Sequence, residues 1–316
     1  MLLALRALKL GDLLAAVPAL RALARAFPDE ERVLAAPGWL APLALHTETV
    51  HRVVDTTPLA TLDPSLHDAD LAVNLHGRGP QSTAILAAAR PRELVAFDLA
   101  GQPAWRDDEH ERARWCRLLS ESGIYADPDD LLLPAPAAAP PAIAVGSTVI
   151  HPGASTASRR WPADRWAAVA AHLSTAGRTV VVTGDATEVG LAHEVARGAG
   201  LPSEVVLAGV TGILGLLAVV GGASQVLCGD TGVAHVASAL GTPSVVLFGP
   251  TPPLLWGPPA SGPHTVLWSG RRGDPAAERP DAGLLDISVD DVLHAAAVAP
   301  PRRTDELTSG APRASG

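Results

Sequence analysis

The sequence predicts an α/β protein built from two doubly wound, parallel-sheet domains, and three observations carry that expectation. Short runs rich in β-branched residues alternate with Ala- and Leu-rich stretches of helical length along most of the chain. That grammar is interrupted by a spacer with four prolines between Leu133 and Ala142, then resumes. The strands read as continuous apolar runs, which calls for burial on both faces beneath crossover helices. A length of 316 residues fits roughly two domains of ordinary size.

In the first half, residues 2–7 read as a strand and 12–27 as a helix that stops before Pro28. Strands follow at 32–36 and 50–55, and another at 71–75 runs directly into Gly77 and Gly79. Helices are expected over 81–89 and 108–122, the second ended by Gly123. The proline stretch excludes both a helix interior and a central strand, so it reads as an extended spacer. Beyond it, strands at 148–151, 179–183, 204–207, 225–228 and 244–248 alternate with helices at 162–176, 187–198, 211–221 and 231–240. The expected domains are 1–140 and 141–299, facing a cleft. Residues 300–316 are polar and rich in Pro, Arg and Ser, and read as a disordered tail.

Composition narrows the function. Hydrophobic residues make up 47% and aromatic ones only 3%, so the cores must be packed with Ala, Val and Leu. The formal charge is -9 and no basic stripe exists, which argues against a nucleic-acid partner. Cys116 and Cys228 supply neither a disulfide framework nor a zinc cluster. Arg6, Lys9 and Asp12 interrupt the apolar N-terminus before a signal-peptide core forms, and residues 213–223 are too short to span a bilayer. A cytoplasmic protein is expected, with at most a peripheral contact at the inner face of the membrane. Lys9 is the only lysine in the chain.

Ligands of doubly wound sheets sit at the carboxyl ends of strands, so the loops there carry the search. At the first of them, Gly11 allows a tight turn and Asp12 falls at a helix N-terminus, either as an N-cap or as a general base. In the second half, His151-Pro-Gly-Ala leads through small residues to Arg159 and Arg160, with Pro162 opening a helix. Small residues let backbone approach a ligand, and guanidinium groups pair with phosphate oxygens. Glu188 stands in the first turn of a helix, placed either to hold a ribose or to complement the helix dipole. Asp230, Thr231 and Gly232 lie between an apolar strand and a helix start, an arrangement suited to anions, and His235 follows one turn later. Gly249-Pro250-Thr251 closes the next strand as a second polar loop.

Other chemistries lack their signatures. His46, His51, His67 and His76 are scattered without metal-ligand spacing. The sequence has no Walker A motif, no G-x-G-x-x-G and no G-x-S-x-G elbow.

Taken together, these segments resemble glycosyltransferase family 9, the ADP-heptose heptosyltransferases of bacterial surface-polysaccharide assembly. The resemblance is carried by Leu10-Gly11-Asp12 with Pro18-Ala19-Leu20, His151-Pro-Gly-Ala with Arg159-Arg160-Trp161-Pro162, Asp230-Thr-Gly with His235, and the run from Ala239 to Thr251. It implies a GT-B fold: an acceptor-binding Rossmann-like domain followed by a nucleotide-sugar-binding one. It also implies inverting, metal-independent transfer of a sugar from an ADP-linked heptose, with no cofactor. Asp12 matches the family's proposed general base, and Arg159 stands where a diphosphate-contacting lysine is implied. Thr231, Gly232 and His235 match the diphosphate site, Asp230 the donor sugar, Glu188 the ribose and Thr211 the surroundings of the base. The expected partners are a nucleotide-sugar donor and a saccharide or glycolipid acceptor. An epimerase or hydrolase of the same fold, or a non-catalytic nucleotide-sugar-binding protein, remains open on sequence.

Overall fold

The computed structural model describes residues 1–298, so the tail expected over 300–316 lies outside the described residues. The chain forms two compact units, Met1–Pro134 and a second that starts at Ala135. In the first, the elements run β1 (Leu2–Leu5), α1 (Leu10–Ala26), β2 (Arg32–Ala36), α2 (Ala41–His46), β3 (Arg52–Asp55), β4 (Leu71–Asn74), α3 (Gln81–Ala88), β5 (Glu93–Val95) and α4 (Glu111–Glu121). The second continues with β6 (Thr148–His151), α5 (Ala163–Thr175), β7 (Val180–Val182), α6 (Val189–Gly198), α7 (Ile213–Gly222), β8 (Gln225–Gly229) and α8 (Gly232–Ala239). It is completed by β9 (Ser244–Phe248), α9 (Pro253–Trp256), β10 (His264–Trp268), α10 (Ala282–Leu285) and α11 (Val289–Val298).

Each unit holds one five-stranded parallel sheet, ordered β3-β2-β1-β4-β5 in the first and β10-β9-β8-β6-β7 in the second. Leu3, Leu5, Val33, Ala35 and Ala72 form part of the first core. In the second, Ile150, Val182, Leu227 and Val245 pack with Trp161 and Trp166, whose rings meet edge to face at 4.8 Å. These orders fix where a ligand belongs. The chain reverses its direction of sheet growth between β1 and β4, and again between β6 and β8, and a crevice opens at the carboxyl ends of such switch-point strands. Asp12 follows β1 and His76 follows β4; Arg159 follows β6 and Asp230 follows β8.

The structure departs from the sequence expectation at several places. The break between units falls at 134/135 rather than 140/141. Arg21 on α1 holds the chain up to Leu132 through Asp130 (2.8 Å) and the Leu132 carbonyl, whereas Pro140 packs on Gly222, where a Cβ would lie 2.7 Å from its ring. The proline stretch from Ala135 onward is therefore part of the second unit, and only Leu133 and Pro134 stay with the first. Residues 204–207 do not form a strand: Ser203–Val205 is a 3₁₀ turn, and only a bridge from Val206 to Val182 joins the edge of the sheet. The edge strands β5 and β10 and the short α2 were not expected. β10 is only partly buried and follows a run of Pro and Gly, so it lacks a fully apolar run. Among the described residues, no helix is long and apolar enough to cross a membrane.

Candidate functional site

In the first unit, the site is built around a buried cation. Arg6 extends from the end of β1 and is fully buried, so its charge needs partners on every side. Its Nε donates to the Asp12 carbonyl at 2.9 Å, and Nη2 donates to Glu111 Oε1 at 2.9 Å and to Asp12 Oδ1 at 3.4 Å. Nη1 donates to the Leu75 carbonyl just past β4. The Asp12 side chain is partly exposed. It is not the N-cap: α1 starts at Leu10, and Asp12, in the third helical position, accepts the Lys9 N–H at 3.2 Å. The carboxylate thus caps the Lys9 N–H from inside the first turn, which corrects the N-cap reading, and its side chain stays partly exposed. His76 stands just past the other switch-point strand; burial first, then the Arg6 charge, lowers its pKa, with Asp12 opposing.

The second unit gathers its polar groups on the same kind of edge. Arg159 Nη1 lies 3.4 Å from Asp230 Oδ2, and Nη2 donates to Thr251 Oγ1 at 3.4 Å. Both contacts are long, and neither Arg159 Nε nor Asp230 Oδ2 has a hydrogen-bond partner. Burial pushes the Asp230 carboxyl above the usual carboxylate range, with Arg159 pulling it back. Thr231 caps α8 by accepting the Val233 N–H at 3.2 Å, which leaves Gly232 as the first helical residue. Helix N-termini present amides and the positive end of the dipole. His235 meets the Trp256 ring edge to face at 5.8 Å.

Glu188 occupies a neighbouring position after β7, as the N-cap of α6 rather than a residue of its first turn. Its Oε2 accepts the Asp185 N–H at 3.0 Å and lies 3.7 Å from His151 Nε2. His151 Nδ1 meets Thr183 Oγ1 at 3.1 Å, and burial lowers the imidazole pKa against the pull of Glu188 and Asp185. Gly153 explains the close fit: a Cβ there would lie 2.0 Å from Glu188 Oε1. Thr211 precedes α7 instead of belonging to it. Its loop is tied to the Glu188 turn by the Gly209 N–H, which donates to the Gly184 carbonyl at 3.0 Å.

The structure therefore brings Arg159, Asp230 and Thr231 to one switch point and adds Thr251, while Glu188 packs against Gly153 in the loop after β6 and the Thr211 loop joins the Glu188 turn. Sequence reasoning did not single out Arg6, Glu111, His151 or Thr183 as site residues. Arg6 had a signal, since a charged residue in an otherwise apolar strand requires a buried partner. Glu111 had none, because its partner is 105 residues away.

Two five-stranded parallel sheets in succession, each with a switch point, are the arrangement of the GT-B fold class. The chain belongs to glycosyltransferase family 9 (heptosyltransferase), whose family model matches residues 108–283. It is similar in fold to a family 9 glycosyl transferase from Veillonella parvula, with a TM-score of 0.75 at 17% identity, covering 94% of this chain and 96% of that one. The ADP-heptose LPS heptosyltransferase II of E. coli gives a TM-score of 0.75 at 22% identity, covering 94% and 98%. E. coli heptosyltransferase WaaC, solved with ADP, gives 0.73 at 19%, covering 94% and 99%. No curated protein sequence matches the chain.

Proposed function

We propose that the protein transfers a sugar, heptose in the first instance, from an ADP-sugar to a hydroxyl of a saccharide or glycolipid acceptor, with inversion. The observation that carries this reading is the division of labour between the switch points. The first offers a partly exposed carboxylate, while the second offers a guanidinium with spare donors beside a helix N-terminus. In the proposed reaction the acceptor oxygen attacks the anomeric carbon as Asp12 takes its proton. The bond from that carbon to the β-phosphate oxygen breaks, and ADP leaves with the electron pair. Arg159, the amides at Thr231 and Gly232, and His235 meet the charge that grows on it, so no metal ion is required. Asp230 contacts the sugar, Glu188 holds the ribose hydroxyls and Thr211 borders the base.

The direct test incubates the protein with ADP-heptose and, as acceptors, truncated lipopolysaccharide or simple saccharides, with and without EDTA. Expected are ADP release that depends on acceptor, a product heavier by one heptose, an inverted anomeric configuration by NMR, and insensitivity to EDTA. Acceptor-independent conversion of the donor would identify a hydrolase or epimerase; binding of ADP-heptose with no turnover in any arm would make it a binding protein. Loss of activity in EDTA with recovery on adding magnesium overturns the metal-free part alone.

A second expectation concerns Glu188. Gly153→Ala places a methyl group against the end of a rotatable side chain, so Glu188 swings aside and the fold loses little. The cost then falls on nucleotide binding. ADP affinity by calorimetry is expected to weaken about tenfold, on the order of one charge-assisted hydrogen bond, with Tm nearly unchanged. Wild-type affinity in this variant removes Glu188 from the ribose site.

A further inference from the structure

We infer that Arg6 is the positioning residue for Asp12, and that Glu111 holds Arg6 so that its charge aims the Asp12 carboxylate without quenching it. This rests on the reading of Asp12 as the base.

The geometry separates the two carboxylates by their grip on one nitrogen. Arg6 Nη2 is 2.9 Å from Glu111 but 3.4 Å from Asp12 Oδ1, so the strong bond goes to Glu111 and the weak one to Asp12. The firmer hold on Asp12 is through its backbone, where Arg6 Nε donates to the carbonyl at 2.9 Å. Arg6 thus ties the first turn of α1 to the end of β1, and through the Leu75 carbonyl to the end of β4. Its guanidinium also stacks over Trp115 at 4.8 Å.

Glu111 is anchored just as fully. Trp115 Nε1 donates to Oε1 at 3.0 Å, and Arg114 Nη1 donates to Oε2. Burial opposes the charge on Glu111, but the Arg6 and Arg114 cations outweigh it and hold its pKa below the ordinary value. Glu111 is therefore a fixed anion at neutral pH, and it offsets the Arg6 charge as felt at Asp12. Arg114 is engaged with Glu111 and with the carbonyls of Arg106 and Glu109. The other groups that face Asp12 are His76, whose pKa is lowered, and Lys9, which contributes its backbone N–H. A buried ion pair is weak evidence for stability alone; this one is placed where it controls a carboxylate.

The test separates aim from binding in the full chain, by steady-state kinetics with ADP-heptose and truncated lipopolysaccharide. Arg6→Met removes the donors to the Asp12 carbonyl and carboxylate, and loss of aim lowers kcat about 10²-fold, with KM for ADP-heptose unchanged. Glu111→Gln keeps the Arg6 fork but loosens its anchor, so it lowers kcat by less, again with KM unchanged. Arg6→Lys, a cation without the planar fork, recovers part of the kcat lost in Arg6→Met. If Arg6→Met does not fold, Glu111→Gln and Arg6→Lys carry the test. A kcat that stays in place in these variants while only Tm falls overturns the inference and leaves a structural ion pair. Full turnover in Asp12→Asn is a different failure, since it removes the base on which the inference rests.

Discussion

Asp12→Asn is expected to lower kcat by about 10²–10⁴-fold, the usual worth of a positioned general base, while donor affinity by calorimetry stays near wild type. The substitution is well suited to the question because the amide oxygen can still accept the Lys9 N–H that the carboxylate accepts at 3.2 Å. The helix cap, worth about 1 kcal/mol, is therefore kept and proton abstraction is lost. The ADP-sugar is held by the second unit in the proposed function, so its binding is indifferent to the change. A fall in ADP affinity as large as the fall in kcat would make Asp12 a binding residue; undiminished turnover would end its role as base.

Arg159→Ala is the second large effect. The guanidinium has an unpartnered Nε and two long contacts, to Asp230 and Thr251, each at 3.4 Å. Such a group has donor capacity in reserve for a phosphate oxygen. Removing one preorganised donor to the departing charge lowers kcat by about 10²–10³-fold, or roughly 3–4 kcal/mol. The same change strips Asp230 of its cation and leaves that buried carboxyl still harder to ionise. Arg159→Lys separates charge from shape. It restores the residue that the family resemblance implies at this position, but as a point charge without the planar fork. Intermediate activity and ADP affinity are expected from it. Equal activity in the Ala variant and the wild type would show that Arg159 serves only to neutralise Asp230.

Much of this site was legible because its signals are local. Gly11-Asp12, Arg159 and Asp230-Thr231-Gly232 each follow a strand and precede or enter a helix, which short-range pattern and turn chemistry reveal. Glu188 was singled out for the same reason, although it is the N-cap of α6 rather than a residue of its first turn. Where local signals weaken, so did the reading. Residues 204–207 have the β-branched character of a strand, yet β7 lies at the sheet edge and only one bridge forms there. β10 escaped notice because Pro258, Pro259 and Pro263 crowd its approach and it is nowhere fully buried.

The sequence by itself determined the alternation of strand and helix, the place of the proline spacer between two sheets, and the residue types at each strand's carboxyl end. Those follow from periodicity, steric limits on proline and helix-start chemistry, which act over a few residues. The tertiary structure decided which strands became neighbours, and hence that β1 and β4, and β6 and β8, frame the crevices. It also joined Arg6 to Glu111 and set Arg159 against Asp230. Burying a charge is tolerable only beside a partner, and that partner can stand anywhere in the chain that the packing of the sheets brings near.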